Sequence, residues 1–282
     1  GVRRFQVWNL SDFYDQDTTN WTSENTGDST YVPMGTGNYS TFMGKISFNL
    51  GIIKFSVMRN INNGISKGYG HIYKYNPDGR SHQDTKTTLD MFQLNHFLHE
   101  KMFYDIRISR TDNYYGSYVF RDFDSYNVLE SDGEYQGVYH FAGDTVYNYV
   151  HDKYMTAYGV GFFTGGQDKG HTQRRITTTN AKFDLTLQAN NAHSLKAGYS
   201  ATFYNLDNKY RSIRNEYAGT SLDSDFYKPI VYDDTTVYAD IYNVKPREFS
   251  AYLQDKFEKD EIVINFGLRY DQFDANTTFP SQ

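Results

Sequence analysis

The sequence predicts an all-β protein, the partial wall of an antiparallel transmembrane β-barrel with about eight strands, on three observations. Aromatics are dense on a chain that is polar overall. Apolar residues recur at alternate positions. The connections between strands are short and long in strict alternation.

With 27 Tyr and 21 Phe the chain is 18% aromatic, yet its mean hydropathy is −0.72. That combination suits strands with one apolar and one wet face and excludes disorder, which is poor in aromatics. No run of 18 apolar residues exists, so no transmembrane helix is expected. Barrel strands are apolar only at every second position and escape that criterion. The composition by itself leaves a soluble β-sandwich open as well. Cysteine is absent, which removes disulfide scaffolds, Cys-based zinc sites and thiol catalysis. A net charge of −6 without any Lys/Arg cluster along the sequence argues against nucleic acid as a partner.

Period-2 runs define four hairpins. Phe42 to Leu50 turns at Gly51 into Ile52 to Asn60. Thr87 to Phe97 turns through Leu98–Glu100 into Lys101 to Arg110. Thr172 to Ala189 turns through Asn190–Ala192 into His193 to Lys209, with Leu185, Leu187, Leu195, Ala197 and Tyr199 on one face. The clearest pair is Arg247 to Glu258, turning at Lys259-Asp260 into a strand from Ile262 to about Phe273. Its apolar face is Phe249, Ala251, Leu253, Phe257, Ile262, Ile264, Phe266 and Leu268. Ser250, Gln254, Arg269 and Asp271 fall opposite. A barrel wall puts the first set against lipid and the second in the lumen.

Between hairpins lie long connections, roughly 61–86, 111–171 and 210–246. Transmembrane barrels sort their connections this way, with short periplasmic turns and long extracellular loops. A soluble sandwich has no reason to do so. The same parity puts both chain ends on the outer side, whereas complete bacterial barrels begin and end in the periplasm. The expectation is an internal slice of one barrel domain. Residues 1–40 would be an outer loop or strand remnant, 41–274 the four hairpins, and 275–282 the start of the next outer loop.

The stretch Arg247-Glu-Phe-Ser-Ala-Tyr-Leu-Gln-Asp-Lys-Phe, followed by Asn265-Phe-Gly-Leu-Arg-Tyr-Asp-Gln-Phe, resembles TonB-dependent outer-membrane receptors. Their barrels often carry a Ser-x-Tyr-x-Gln-Asp strand and then Gly-Leu-Arg-Tyr-Asp, here Ser250, Tyr252, Gln254, Asp255 and Gly267 to Asp271. Phe92-Gln-Leu-Asn-His, Phe103-Tyr-Asp-Ile-Arg and Asp112-Asn-Tyr-Tyr-Gly are similar to larger members with an N-terminal carboxypeptidase-like module. The resemblance implies a 22-stranded barrel closed by a plug domain, energised by the TonB complex, in the outer membrane of a Gram-negative bacterium. It also implies uptake of a bulky nutrient such as a siderophore, glycan, peptide or cobalamin, with a surface substrate-binding lipoprotein as a further partner. No plug and no TonB-contacting segment are recognisable in this sequence.

The remaining chemistry reads as bland. His96 and His99 have a metal-pair spacing on a helix but opposite parity on a strand, so no metal is expected. Asp122 with Asp124 and Asp223 with Asp225 lack EF-hand spacing and read as solvated loop acids. Gly159 to Gly166 lacks the following helix of a phosphate loop. No Gly-x-Ser-x-Gly or other nucleophile motif is present, so neither catalysis nor a cofactor is expected. Tyr69, Tyr73, Tyr75, Tyr114, Tyr115 and Tyr118, in or beside the long connections, are the ligand-contact candidates because a phenol offers an apolar face and a polar tip. Interfacial girdle or loop packing is the alternative role for each.

Overall fold

In the computed structural model the described residues are 35–73, 79–121, 167–223 and 229–278, with 2–3, 31–32, 139–141, 144–146 and 149. Nine strands form one antiparallel sheet: β1 (Thr36–Asn49), β2 (Ile53–Lys67), β3 (His82–His99), β4 (Met102–Tyr118), β5 (Gly170–Gln188), β6 (His193–Ser212), β7 (Ala239–Val244), β8 (Arg247–Lys259) and β9 (Ile262–Asp274). Neighbours in the sheet are neighbours in sequence from β1 to β6. Then β8 pairs with β6 and β9 with β8, leaving β1 and β9 as the two edges.

β7 is not a separate strand in any physical sense. Leu206 faces Val244 and Phe203 faces Arg247, so β7 and β8 run along β6 in one continuous register. Lys245-Pro246 interrupts the ladder because proline has no N–H to donate. Its carbonyl still accepts from Tyr204 N at 2.9 Å.

The hairpin turns fall at residues 50–52, 100–101, 189–192 and 260–261, all on one rim. Gly51 takes φ +79° and Asp260 φ +54°, the left-handed conformations that tight reversals need. Asn190 Oδ1 accepts from Ala192 N at 2.8 Å and His193 N at 3.0 Å, closing the third turn. The opposite rim carries the longer connections, 68–81, 119–169 and 213–238.

The register sorts the two faces row by row. One row reads Phe48, Phe55, Leu94, Ile106, Phe183, Tyr199, Ala251, Tyr270 across eight strands. Towards the turns the next row holds Leu185, Ala197, Leu253 and Leu268, then come Leu187, Leu195 and Phe266, then Phe257 with Ile264, then Ile262. On the other face one row reads Ser47, Ser56, Gln93, Arg107, Lys182, Ser200, Ser250, Asp271. No described element covers the apolar side: Leu268 is 84% exposed and Phe42 60%. Buried hydrophobic residues among those described are only Tyr118, Tyr149, Ala201 and Ile213. Tyr149 and Ile213 pack with Val119, Phe120 and Val231 under the outer connections.

The strands run further outward than their apolar periodicity. β1 begins at Thr36 instead of Phe42, β3 at His82 instead of Thr87, and β4 ends at Tyr118 instead of Arg110. Beyond the apolar rows both faces are polar, so alternation disappears while the backbone pairing continues. The expected boundary at residue 40 and the long connections shift accordingly.

Leu253 stands six residues from the turn end of β8, which at ~3.4 Å per residue and a tilt of ~40° is roughly 16 Å up a 25 Å apolar band. With lipid against this face, Leu253→Arg in the intact membrane-inserted protein should cost about 2–4 kcal/mol by urea unfolding in phospholipid vesicles. Ser250→Arg, on the polar face, should be near neutral.

Candidate functional site

The polar face carries a connected network rather than scattered groups. Along one row stand Asn95, Asp105, Asp184, Gly198, Tyr252 and Arg269, each the direct cross-strand partner of the next. Asp105 and Asp184 are thus neighbouring carboxylates. Each is held by donors: Asn95 Nδ2 donates to Asp105, while Lys182 Nζ lies 2.9 Å from Asp184 and Tyr252 Oη donates to it at 2.7 Å. Arg269 forms a two-pronged pair with Asp271 at 2.8 to 3.0 Å on the same strand.

Gly198 makes the Tyr252 contact geometrically feasible. The phenol ring crosses strand β6 directly over this glycine to reach Asp184 on β5. A Cβ there would meet the Tyr252 ring at 2.2 Å and Asp184 Oδ1 at 2.7 Å. An aromatic laid over a cross-strand glycine restores the packing that the missing side chain forfeits. Gly64 under Tyr39 repeats the device, with the ring 2.7 Å from the Cβ position.

At the outer rim the tyrosine candidates separate. Tyr69 is 44% exposed, with its hydroxyl 2.6 Å from His71 Nδ1. Tyr73, in a one-turn 3-10 helix over His71–Tyr73, is pushed up to about 12 by burial and by the hydrogen-bonded Asp168 carboxylate. Tyr114, Tyr115 and Tyr118, expected in or beside a loop, lie inside β4. Tyr118 is fully buried, stacked on His171 at 5.1 Å and donating to Asp84 at 3.0 Å, and so packs the rim. Register puts Tyr115 on the polar face and Tyr114 on the apolar-parity face. Tyr75 lies outside the described residues.

His96 Nδ1 is 2.9 Å from Tyr104 Oη, and His99 Nδ1 accepts from Lys101 N at 3.3 Å. Among the described residues no three His, Asp or Glu side chains gather as a metal site. Asp223 organises its own loop, accepting from Asn215 Nδ2 at 2.8 Å and Gly219 N at 3.3 Å. Asp122, Asp124, Asp225 and the 159–166 glycines lie outside the described residues.

Several cross-strand pairings leave no signal in the sequence. Parity alone puts Asp255 on the apolar-parity face, opposite Gln254, but does not reveal the His193 Nδ1 that meets it there at 2.7 Å. Further out on that face, Arg59 pairs with Asp90 and Arg175 with Asp112 across strands 31 and 63 residues apart in sequence. Only the register brings them together.

No family model and no curated protein matches the sequence. The fold, however, matches solved TonB-dependent receptors. P. aeruginosa FpvA, solved bound to heterologous pyoverdines, aligns over 85% of this chain and 31% of its own length, with TM-score 0.52 and 13% identity. FpvAI in complex with pyocin S2 aligns over 85% and 30%, with TM-score 0.51 and 14% identity. The chain spans about a third of the length of these receptors, which are outer-membrane β-barrels, and its antiparallel sheet matches part of their fold.

Two outcomes test this geometry. Replacing Gly198 by Ala should expel the Tyr252 ring and cost about 1–3 kcal/mol. Adding Tyr252→Ala should remove most of that penalty, and a double-mutant cycle reads the coupling. For Tyr73, folding raises its pKa above the ordinary value of about 10. Its contribution to stability is therefore complete below pH ~10 and lost as pH rises towards about 12. The absorbance difference between the wild type and Tyr73→Phe should show a phenolate forming near pH 12.

Proposed function

We propose that this chain is barrel wall from an energised outer-membrane receptor of the TonB-dependent kind, and that its polar face lines the passage for a bulky nutrient. The observation that carries the reading is the row-by-row division of the sheet. One face is charged and hydrogen-bonded along its length, while the other is apolar over the roughly 25 Å that a barrel presents to hydrocarbon. All hairpin turns sit on one rim and all long connections on the other.

Phe249, Ala251, Leu253, Phe257, Ile262, Ile264, Phe266 and Leu268 then meet lipid, with Leu185, Leu187, Leu195, Ala197 and Tyr199. Ser250, Gln254, Arg269 and Asp271 face the lumen. The Asp105–Asp184–Tyr252–Arg269 row supplies fixed charges against which a plug domain docks, and the TonB complex acts through that plug. Exposed Tyr69 and the polar-face Tyr115 are the cargo-contacting candidates from this segment. The cargo class is a siderophore, glycan, peptide or cobalamin, delivered from solution or by a surface lipoprotein, and moved without covalent chemistry.

The test is genetic and uses the intact gene. A panel of these four cargo classes should contain one whose uptake disappears when the gene is deleted. Uptake of that cargo should fall to background equally when the TonB system is removed. Uptake that persists without TonB would identify a passive pore and overturn the reading.

A further inference from the structure

The face that carries the apolar rows does not stay apolar to its outer end. Immediately outward of Val57, Phe92 and Ile108, the same parity sets Arg59, Asp90 and Arg110 side by side on β2, β3 and β4. Two rows further out come Lys86, Tyr114 and Arg175. The groups on β3 to β5, joined by Arg121, line a cavity of about 560 Å³.

The height of this cavity matters. Asp90 stands nine residues from the turn end of β3, roughly 23 Å up the barrel at ~3.4 Å per residue and ~40° tilt. That is the outer limit of an apolar band about 25 Å tall, at the level of outer-leaflet headgroups. The cavity is on the lipid side of the wall, not the lumen side.

Its charges are uneven. Asp90 accepts from Arg59 Nε and Nη2 at 2.7 and 2.9 Å, and Asp112 from Arg175 at 2.8 to 3.1 Å, so both carboxylates are committed to two-pronged pairs. Lys86 and Arg110 have no ion pair within 4 Å among the described residues, and Arg121 has only Asp84 at 3.9 Å. Five cations thus meet three carboxylates, on a chain whose net charge is −6. On β6, Asp207 stands beside Arg175 and Lys209 beside Gln173, adding one charge of each sign.

From this we infer that the cavity binds the phosphate-bearing headgroup of an anionic outer-leaflet lipid. Lys86 and Arg110 contact phosphate oxygens, with Arg121 closing from the loop side. Phosphate satisfies several guanidinium and ammonium donors at once, and basic side chains at a membrane surface gain from anionic lipid. Tyr114, Thr88 and Gln173 add neutral donors on the cavity wall for headgroup hydroxyls. The inference rests on the membrane placement proposed above, but not on the cargo or on TonB.

The experiment reconstitutes the intact receptor in nanodiscs and titrates phosphorylated lipid A, its enzymatically dephosphorylated form and inorganic phosphate, with native mass spectrometry as readout. The double variant Lys86→Gln/Arg110→Gln should bind phosphorylated lipid A roughly tenfold to thirtyfold more weakly than the wild type. Both proteins should bind the dephosphorylated lipid alike, and inorganic phosphate should not displace the lipid. The charge-conserving Lys86→Arg/Arg110→Lys variant should retain binding, which excludes misfolding as the cause. Equal binding of the phosphorylated and dephosphorylated lipids by the wild type would overturn the inference while leaving membrane placement intact. Failure of the receptor to enter the bilayer would overturn both.

Discussion

Every backbone group in a strand that faces hydrocarbon has to find its partner sideways, because lipid offers neither a donor nor an acceptor. This sheet meets that demand for eight consecutive long strands, and no described element covers one of its faces. In a soluble protein an uncovered run of Phe, Ile and Leu over that many strands would be an aggregation surface. Here it forms level bands, bounded by hairpin turns at one rim and by charge at the other. In the membrane placement proposed above, lateral pairing with two different solvents on the two faces is the constraint from which the other features follow.

It explains the turns. Adjacent strands that cross a thin apolar band can reverse in two to four residues, and Gly51, Asn190 and Asp260 supply the special backbone or side-chain geometry at those reversals. It explains the outer extensions too, since strands emerging from the band keep their ladder and are freed from apolar alternation. There Tyr118 stacks on His171 and meets His82 edge-on, in the small packed zone that ties the outer connections to the sheet.

It also explains why polar groups on the two faces are arranged differently. On the polar face, charges are spread along the full strand and held by neighbours, as in Lys182–Asp184–Tyr252, where Gly198 yields its space so that a phenol can span a strand. Across the apolar face charged groups are fewer: the Arg59, Asp90, Arg110, Asp112 and Arg175 group gathers at the outer limit, and lower down Asp255 is paired with His193. A charge is tolerable near an interface and expensive at mid-depth, so position along the strand decides where it can stand.

Period-2 alternation and the parity of connection lengths were enough to determine the four hairpins and which of their residues share a face, though not the outer ends of the strands or β7. Leu253, Ile264 and Leu268, or Ser250 and Asp271, are separated by nothing more than odd and even position in a paired ladder. Tertiary structure alone decided whatever depends on register between strands distant in the chain. The meeting of Arg175 with Asp112, of Tyr252 with Asp184 and of Pro246 with Tyr204 leaves no local trace, because each partner satisfies its own strand's pattern equally well without the other. The placement of Tyr114, Tyr115 and Tyr118 inside β4 was hidden for a related reason. Past the apolar rows both faces are polar, alternation carries no information, and only the backbone ladder shows that the strand goes on.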